Sequence, residues 1–327
     1  MRYSLSLFPL DGWSSLDEIV EVVRRAETLG FFGVGLAEHL VTPLESQSGR
    51  EAATPGAFWV DNFAFGAVLA RATSRLRLML SALIVPYRHP LHAARSVATL
   101  DWVSDGRLDV TTGVGWLAPE FAALGIPFAE RGARTDDALR AMVSLWTEEH
   151  PSYHGRFFSF SDLSFGRGCV QRPHVPLLIG GGGPAALRRV VEFGAGWAPM
   201  LATPETVRVG MAQLADELGA AGRDAADLRV FTRIAILGGN QAMRRALDSH
   251  PPSGARAPVG SIAASALDSS ASQQVIDAVS RYVEAGVTEI GLSFPWRDAA
   301  EYVDRLEWFA AEVMPATAGW PAGHAGR

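Results

Sequence analysis

Strand-like and helix-like patterns alternate along this chain, and this alternation limits its possible folds more than any other feature. Eight short apolar runs of strand character are separated by segments in which apolar residues recur every three or four positions. The predicted strands are residues 3–9, 33–37, 77–85, 108–113, 175–179, 196–199, 228–237 and 289–294. The third run is apolar on both faces, which is typical of a parallel sheet covered by helices. Eight strands alternating with eight helices, with no linker between them, predict an α/β fold of the closed (β/α)8 (TIM) barrel type; an open doubly wound sheet is the alternative.

Capping signals mark several of the predicted helices. Ser15 and Glu18 form a capping box, Gly30 ends the helix that follows, and Thr203 precedes a proline at the start of a later helix. The predicted helices are residues 16–29, 57–72, 91–103, 120–125, 132–146, a segment opened by Pro184, 204–221, 273–285 and 298–313. The two segments 120–125 and 132–146 both follow the fourth strand.

Several segments depart from the alternation. Residues 153–160 are rich in aromatic side chains and predict a hairpin inserted between strands 4 and 5. Residues 238–272 are rich in Gly, Pro, Ser and Ala and predict an irregular segment after strand 7. The polar loop at residues 42–55 is long enough to suggest a function. We expect a single domain over residues 1–315 and a frayed tail over residues 316–327.

Composition excludes several classes of function. The chain has 327 residues and a net charge of -6, so an extended nucleic-acid surface is not expected. Its one cysteine, Cys169, allows no intrachain disulfide, and no CxxC or HExxH spacing predicts a metal site. The first residues are typical of a strand and not of a signal peptide, and no apolar run is long enough for a membrane span. These features predict a cytoplasmic protein.

A run of four glycines, Gly180, Gly181, Gly182 and Gly183, separates the fifth strand from a helix that Pro184 opens. Bare backbone before a helix start presents unpaired N–H groups, so the run predicts a phosphate-binding site; a tight turn is the alternative. Gly180, Gly182 and Ala185 also satisfy a dinucleotide fingerprint. That interpretation is weak, because the next strand ends without the required acidic residue.

In a barrel of this type the chemistry lies at the carboxyl ends of the strands. His39 follows the end of the second strand, and an imidazole titrates near neutral pH, which suits proton transfer. The alternative is that His39 bonds the loop and orients a substrate. Gly113 and Gly115 follow the fourth strand and allow a flat ligand to approach the backbone closely. Trp59 and Trp116 are candidates for an apolar substrate pocket, although such residues are as often part of a core.

The sequence resembles the bacterial-luciferase-like superfamily, and most closely its deazaflavin (F420)-dependent oxidoreductase branch. The resemblance is dense over about residues 1–200 and thins afterwards. The matching segments are Glu38-His39, Tyr87-Arg88-His89-Pro90, Ala98-Thr99-Leu100-Asp101, Gly106-Arg107-Leu108, Gly113-Val114-Gly115-Trp116-Leu117, Glu120-Phe121 with Gly125, Phe128-Ala129-Glu130-Arg131, Gln171-Arg172-Pro173 and Gly180–Gly183.

This resemblance implies a coenzyme at the carboxyl ends of the strands, with its phosphate on the N–H groups of Gly181–Gly183. Its tricyclic ring would pack against the third strand, where the family often has a bulge with a non-proline cis peptide, here around Ala82-Leu83. It implies that His39 serves as a proton donor or base. Glu38 would accept hydrogen bonds from the coenzyme or, equally well, from backbone N–H groups. Trp116 replaces the proton-donating glutamate of the sugar-phosphate dehydrogenases, so that activity is not expected.

The leading functional hypothesis is therefore hydride transfer between coenzyme F420 and a small organic substrate. An FMN-dependent monooxygenase, supplied with reduced flavin by a separate reductase and using oxygen, is the first alternative, since the glycines serve either coenzyme. A flavin- or deazaflavin-binding protein without catalysis is the second. The resemblance also implies a homodimer.

Overall fold

A computed structural model describes residues 1–8, 10–42, 58–200, 202–236, 266–267, 272–294, 296 and 298–320 of the chain. The strands, in chain order, are β1 Arg2–Ser6, β2 Gly33–Leu36, β3 Arg77–Ile84, β4 Leu108–Gly113, β5 Tyr153–His154, β6 Ser159–Phe160, β7 Leu177–Gly180, β8 Gly196–Ala198, β9 Arg229–Ile236, β10 Ala266–Leu267 and β11 Glu289–Ser293. Eight of them pair in parallel in the order β1-β2-β3-β4-β7-β8-β9-β11, and β11 pairs again with β1. The ring is closed, so the (β/α)8 barrel is confirmed and the open sheet is excluded.

Helices surround this ring and bury the outward faces of its strands. They are α1 Leu16–Thr28, α2 Asn62–Ala72, α3 Pro90–Val103, α4 Ala118–Ala123, α5 Arg131–Thr147, α6 Pro184–Phe193, α7 Pro204–Ala220, α8 Ser272–Glu284, α9 Ala299–Glu312 and α10 Met314–Thr317. Ser15 caps α1 as predicted, because its Oγ accepts the Glu18 N–H; the Glu18 carboxylate accepts the N–H of Ser14, one residue before the position that a complete capping box uses. Helix α2 begins at residue 62 and not at 57, since the Asp61 carboxylate accepts the N–H groups of Phe63 and Ala64.

The insertion between the fourth and fifth barrel strands is the antiparallel hairpin β5–β6, as predicted. Asp137 of α5 holds it by accepting the N–H groups of Phe157 and Phe158 and the hydroxyl of Tyr153. Of the segment predicted to be irregular, residues 266–267 form β10 beside β9. Residue 272 begins α8, and the rest lies outside the described residues, as does nearly all of the loop 42–55.

The start and end of the described chain pack against each other. The Tyr3 hydroxyl donates to Thr317 Oγ1 at 2.8 Å, and the Met1 amino group donates to the Trp320 carbonyl at 2.9 Å. Of the tail that we expected to fray, residues 316–320 are therefore held against β1, while residues 321–327 lie outside the described part. The assignment of residues 1–315 to a single domain stays a prediction.

Inside the barrel, alternate strand residues form layers. At the amino ends of the strands lies an ionic group that we call the amino-end cluster; its members are Arg2, Arg77, Asp109, Arg229 and Glu289. Arg229 of β9 donates bidentate hydrogen bonds to Asp109 at 2.7 and 3.0 Å and to Glu289 at 2.5 and 2.9 Å. Above it lies an apolar layer of Met79, Leu178, Ala198 and Phe231. These two layers fill the barrel, so ligands have access only from the carboxyl ends of the strands, here called the barrel mouth.

Candidate active site at the barrel mouth

Glu120, near the start of α4, connects three loops of the barrel mouth. It is 1% exposed, and its Oε1 accepts the N–H groups of Leu40 at 2.6 Å and Val41 at 3.3 Å. Its Oε2 lies 2.5 Å from the Tyr87 hydroxyl and 2.9 Å from His39 Nδ1. Burial alone would raise the pKa of the Glu120 carboxyl, but the hydrogen bonds from His39, Tyr87 and the Leu40 N–H outweigh it and hold the pKa below its usual value. Glu120 is therefore an anion at neutral pH.

His39 is oriented by this carboxylate. An ionised carboxylate has no hydrogen to donate, so the contact requires that Nδ1 of His39 carries the hydrogen. The other ring nitrogen, Nε2, has no hydrogen-bond partner among the described residues and can take up a proton and later return it. The His39 side chain is 11% exposed, which leaves it accessible from the mouth. The predicted proton-transfer residue thus lies in a geometry that supports that role.

Glu120 and Tyr87 were not predicted as site residues, although both lie in segments that carry the family resemblance. Glu120 is 81 positions from His39 in sequence, and no local pattern connects the two. The position of Glu120 in the sequence could have indicated a site residue. Glu120 lies four residues after Trp116, in the segment that follows the carboxyl end of a barrel strand.

Aromatic rings surround His39. The Trp59 ring lies 4.6 Å from the imidazole and stacks on Phe8 at 4.4 Å, and the Trp116 ring lies 5.7 Å from the imidazole on another side. Both predicted pocket tryptophans therefore reach the mouth. Trp59 Nε1 is buried and has no hydrogen-bond partner in the described part of the chain. A small cleft lies beside it; the lining residues are Leu7, Phe8, Leu10, Gly35, Leu36, Ala37, Trp59, Val60, Asn62 and Phe65.

Strand β3 has a bulge at its carboxyl end. The register to β4 shifts between Ser81 and Leu83, and the peptide bond Ser81–Ala82 is cis. The bulge lies at Ala82, where the resemblance implied it, and the cis bond lies one residue before the implied Ala82-Leu83. The extra residue also reverses the alternation of side chains, so Leu83 is fully buried in the outer core and only its backbone is near the mouth. Ala82 is half-buried and lies beside Gly113. A Cβ added to Gly113 would lie 3.2 Å from the Ala82 Cβ and 2.9 Å from Ile84 Cδ1.

Gly115 has a different role from Gly113. Its φ is 78°, in the left-handed region, and a Cβ there would lie 2.7 Å from the Phe121 ring. The missing side chain therefore lets the loop turn against α4 and does not open space for a ligand. At Gly113 the missing side chain makes room for Ile84 Cδ1 and the Ala82 Cβ, so contact of either predicted glycine with a flat ligand stays a prediction.

Glu38 supports the bulge. Its Oε2 accepts the Ile84 N–H at 2.6 Å, and its Oε1 lies 2.5 Å from Arg88 Nη1, in a contact that is not aligned as a hydrogen bond. Burial raises the pKa of the Glu38 carboxyl, and the Arg88 guanidinium opposes that rise. Of the two roles that the sequence left open, the structure shows the bond to a backbone N–H; direct contact with a coenzyme stays a prediction.

The glycine run divides into a packed half and an open half. A Cβ on Gly180 would lie 2.6 Å from the Thr112 carbonyl, so this residue is needed for the approach of β7 to β4. Gly181 has φ 110°, and its N–H donates to the Ala198 carbonyl at 3.3 Å. The Trp197 indole N–H donates to the Gly181 carbonyl at 2.7 Å and fixes the loop. Gly181 was predicted to bind phosphate through its N–H, but that group is already used.

Gly182 and Gly183 form the open half. Both are exposed, and an added Cβ at either would meet nothing within 4 Å. Gly183 is the residue before α6, and no described residue accepts a hydrogen bond from the N–H of Gly182, Gly183 or Ala185. Unpaired N–H groups at the start of a ten-residue helix attract an anion through hydrogen bonds and the helix dipole.

No group of three or more His, Cys, Asp or Glu side chains among the described residues is arranged to hold a metal ion. None of the helices built from those residues has the length and apolar character to cross a membrane.

The chain is similar in sequence to one protein family and to several known proteins. The sequence profile of a family described as luciferase-like monooxygenase matches residues 5–251. An uncharacterised protein of Mycobacterium tuberculosis, Rv0953c, is 30% identical over 321 residues, which cover 94% of this chain and 97% of that protein. An FMNH2-dependent dimethylsulfone monooxygenase of Pseudomonas putida is 36% identical over 121 residues, which cover 36% of this chain and 33% of that enzyme.

Solved structures share the fold over nearly the whole chain. The monooxygenase RslO1 from Streptomyces bottropensis has a TM-score of 0.79 at 25% identity and covers 96% of this chain and 99% of its own. An F420-dependent secondary alcohol dehydrogenase has a TM-score of 0.75 at 19% identity and covers 96% of this chain and 98% of its own. At 19% identity, the similarity to the alcohol dehydrogenase shows a shared fold and nothing more.

Proposed function

Since the chain belongs to the luciferase-like monooxygenase family and is an oxidoreductase of that family, we propose that it transfers a hydride between coenzyme F420 and a small organic substrate at the barrel mouth. The observation that carries this proposal is the open half of the glycine run, where the N–H groups of Gly182, Gly183 and Ala185 have no described acceptor. An anionic phosphate is the ligand that this arrangement favours.

The residues of the mouth also fit a flat ring. Ala82 presents a small, half-buried side chain at the β3 bulge, so a planar group would lie against the strand there, with Gly113 as a proposed neighbour. Trp59 and Trp116 supply apolar walls on the side of His39. When bound, the deazaflavin would give or accept the hydride, and the protein would orient the substrate and exclude water.

His39 would handle the accompanying proton. The Glu120 anion holds the hydrogen on Nδ1, so Nε2 is the atom that exchanges a proton with a substrate oxygen. The carboxylate also stabilises the imidazolium that forms when Nε2 takes a proton. Trp116 replaces a catalytic glutamate and cannot act as an acid, which gives some support to the non-catalytic alternative. The His39–Glu120 pair would supply an acid nearby and therefore favours catalysis.

A flavin-dependent monooxygenase is the second candidate, because the Pseudomonas putida relative is named as FMNH2-dependent. The same N–H groups would hold the FMN phosphate, and a separate reductase would be the partner that supplies reduced flavin. The F420-dependent alcohol dehydrogenase of similar fold supports the first candidate in the same indirect way. A homodimer, a small-molecule substrate and a cytoplasmic location remain proposals.

Titration of the purified protein with F420 and, separately, with FMN tests both candidates, with the absorbance and fluorescence of each coenzyme as the readout. We expect F420 to bind more tightly. Gly182→Val should weaken binding of the preferred coenzyme at least tenfold, because the new side chain occupies the space in front of the unpaired N–H groups. Gly219→Val is the matched control, since a Cβ there also meets nothing within 4 Å but the residue lies on α7. Failure of both coenzymes to bind would refute the proposed function, and tighter binding of FMN would favour the monooxygenase.

A further inference from the structure

Arg233 is a second arginine of β9 that extends into the barrel, four positions after Arg229. Its Nη2 donates to the Ser81 carbonyl of β3 at 3.0 Å. Space for this side chain comes from two glycines: a Cβ on Gly35 would lie 3.0 Å from Arg233 Nη2, and a Cβ on Gly291 would lie 3.0 Å from its Cγ. The guanidinium therefore crosses the interior above the apolar layer, at the floor of the mouth.

This guanidinium lacks the partners that a buried cation normally has. Arg229 is paired with two carboxylates, whereas no carboxylate of the described residues pairs with Arg233. Burial lowers the pKa of Arg233 to about 10, so it remains a cation at neutral pH. An enclosed charge without a counterion is unfavourable, and such groups are usually paired or used to bind a ligand.

A second group at the same place is also unpaired. Ser81 is 3% exposed, and its Oγ has no hydrogen-bond partner among the described residues. Arg233 itself retains some exposure. Because the apolar layer of Met79, Leu178 and Phe231 closes the barrel below, that exposure opens toward the mouth.

We propose that Arg233 and the Ser81 hydroxyl form an anion-binding pair at the floor of the barrel mouth, and that their ligand is a delocalised oxygen anion of the carboxylate type. A guanidinium and a hydroxyl together offer donors that match two such oxygens. Two sources have this chemistry: an acidic organic substrate, and the pyrimidine ring of a reduced, deprotonated coenzyme. Which of these two sources supplies the anion rests on the proposed function. The proposal that Arg233 and Ser81 bind an anion does not depend on it.

Calorimetric titration of the coenzyme-free protein tests the pair. Benzoate is the probe, and benzamide is its neutral counterpart of similar shape. We expect benzoate to bind at least tenfold more tightly than benzamide, and Arg233→Met to remove that preference. Arg233→Lys should retain it in part, and Arg140→Met is a control because Arg140 is an exposed residue paired with Glu192. If Arg233→Met does not fold, Arg233→Lys takes its place: a benzoate preference smaller than that of the wild type supports the pair, and an unchanged preference contradicts it.

Anaerobic titration with oxidised and reduced coenzyme distinguishes the two sources. If the ring is the ligand, Arg233→Met weakens binding of the reduced form at least tenfold more than that of the oxidised form. If an acidic substrate is the ligand, only benzoate binding changes. Unchanged benzoate and reduced-coenzyme affinities in a folded Arg233→Met variant would overturn the proposal. A protein that binds benzoate through Arg233 but binds neither coenzyme would keep this proposal and refute the proposed function.

Discussion

The two ends of the barrel differ in how many partners their buried hydrogen-bond donors have. At the amino end, three arginines meet two carboxylates, and Asp109 and Glu289 each contact more than one guanidinium. At the mouth, Arg233 has one carbonyl as its partner, and Ser81 Oγ and Trp59 Nε1 have none among the described residues. Strand β9 supplies an arginine to both ends. The difference indicates that the amino end contributes to stability, whereas the mouth keeps unused donors for a ligand.

The largest effect on stability is expected at the amino end. Asp109→Ala leaves Arg77 and Arg229 partly unpaired inside the barrel, and removing one member of a buried ionic group costs about 3–5 kcal/mol of unfolding free energy. Urea denaturation at neutral pH measures the change. Asp216→Ala, at an exposed position of α7, is the control and should change stability by less than about 0.5 kcal/mol. A loss below about 1 kcal/mol for Asp109→Ala would contradict the structural role of the amino-end cluster.

The sequence predicts those features of the two barrel ends that depend on the residues of one short segment. The eight strands, the hairpin and the glycine run before α6 each follow from the chemistry of a short segment. The first strand ends at residue 6 and not at 9, and a 3-10 turn at Leu10–Gly12 follows it. Such boundary errors are expected, because strand ends depend on neighbouring strands.

The groups that distinguish the two ends were not predictable in this way. Arg229 and Arg233 have the same type and the same side-chain direction on β9, and only the residues of other strands make one paired and the other not. The His39–Glu120 contact depends likewise on two distant loops meeting at the mouth. The bulge at Ala82 reverses the alternation of side chains, so Leu83, which the resemblance placed against the coenzyme ring, has its side chain in the outer core.

For His39 at the mouth we expect a larger effect on activity than on stability. His39→Ala removes the proposed proton carrier and should lower kcat by about 10²-fold or more, while coenzyme affinity at the glycine run stays close to that of the wild type. Single-turnover kinetics and coenzyme titration measure the two quantities separately. His154→Ala, in the exposed part of the hairpin, is a matched control. Unchanged turnover in His39→Ala would show that the imidazole only positions the loop.

Glu120→Gln should remove a pH-dependent contribution to stability at the mouth. The variant loses charged hydrogen bonds with His39 and Tyr87 and should be less stable by about 1.5–3 kcal/mol at pH 7. The folded-state pKa of Glu120 lies below its ordinary value of 4.5, so this carboxylate stabilises the fold above that pH and its contribution is lost as the pH falls further. Denaturation curves should therefore converge for the two proteins at acid pH. A stability difference that does not depend on pH would mean that the Glu120 charge has no part in it.

The smallest effect has the opposite sign from that at the amino end. Ser81→Ala removes a buried hydroxyl that has no partner among the described residues, so the coenzyme-free protein should be unchanged or more stable by up to about 1 kcal/mol. Ser104→Ala is the matched control. Its Oγ is equally buried but donates to the Asp101 carbonyl at 3.1 Å, so the same change should be destabilising by about 1 kcal/mol. Thermal unfolding of both variants measures the difference. If both lose stability equally, Ser81 is satisfied within the fold, and the mouth does not hold an unused hydroxyl for a ligand.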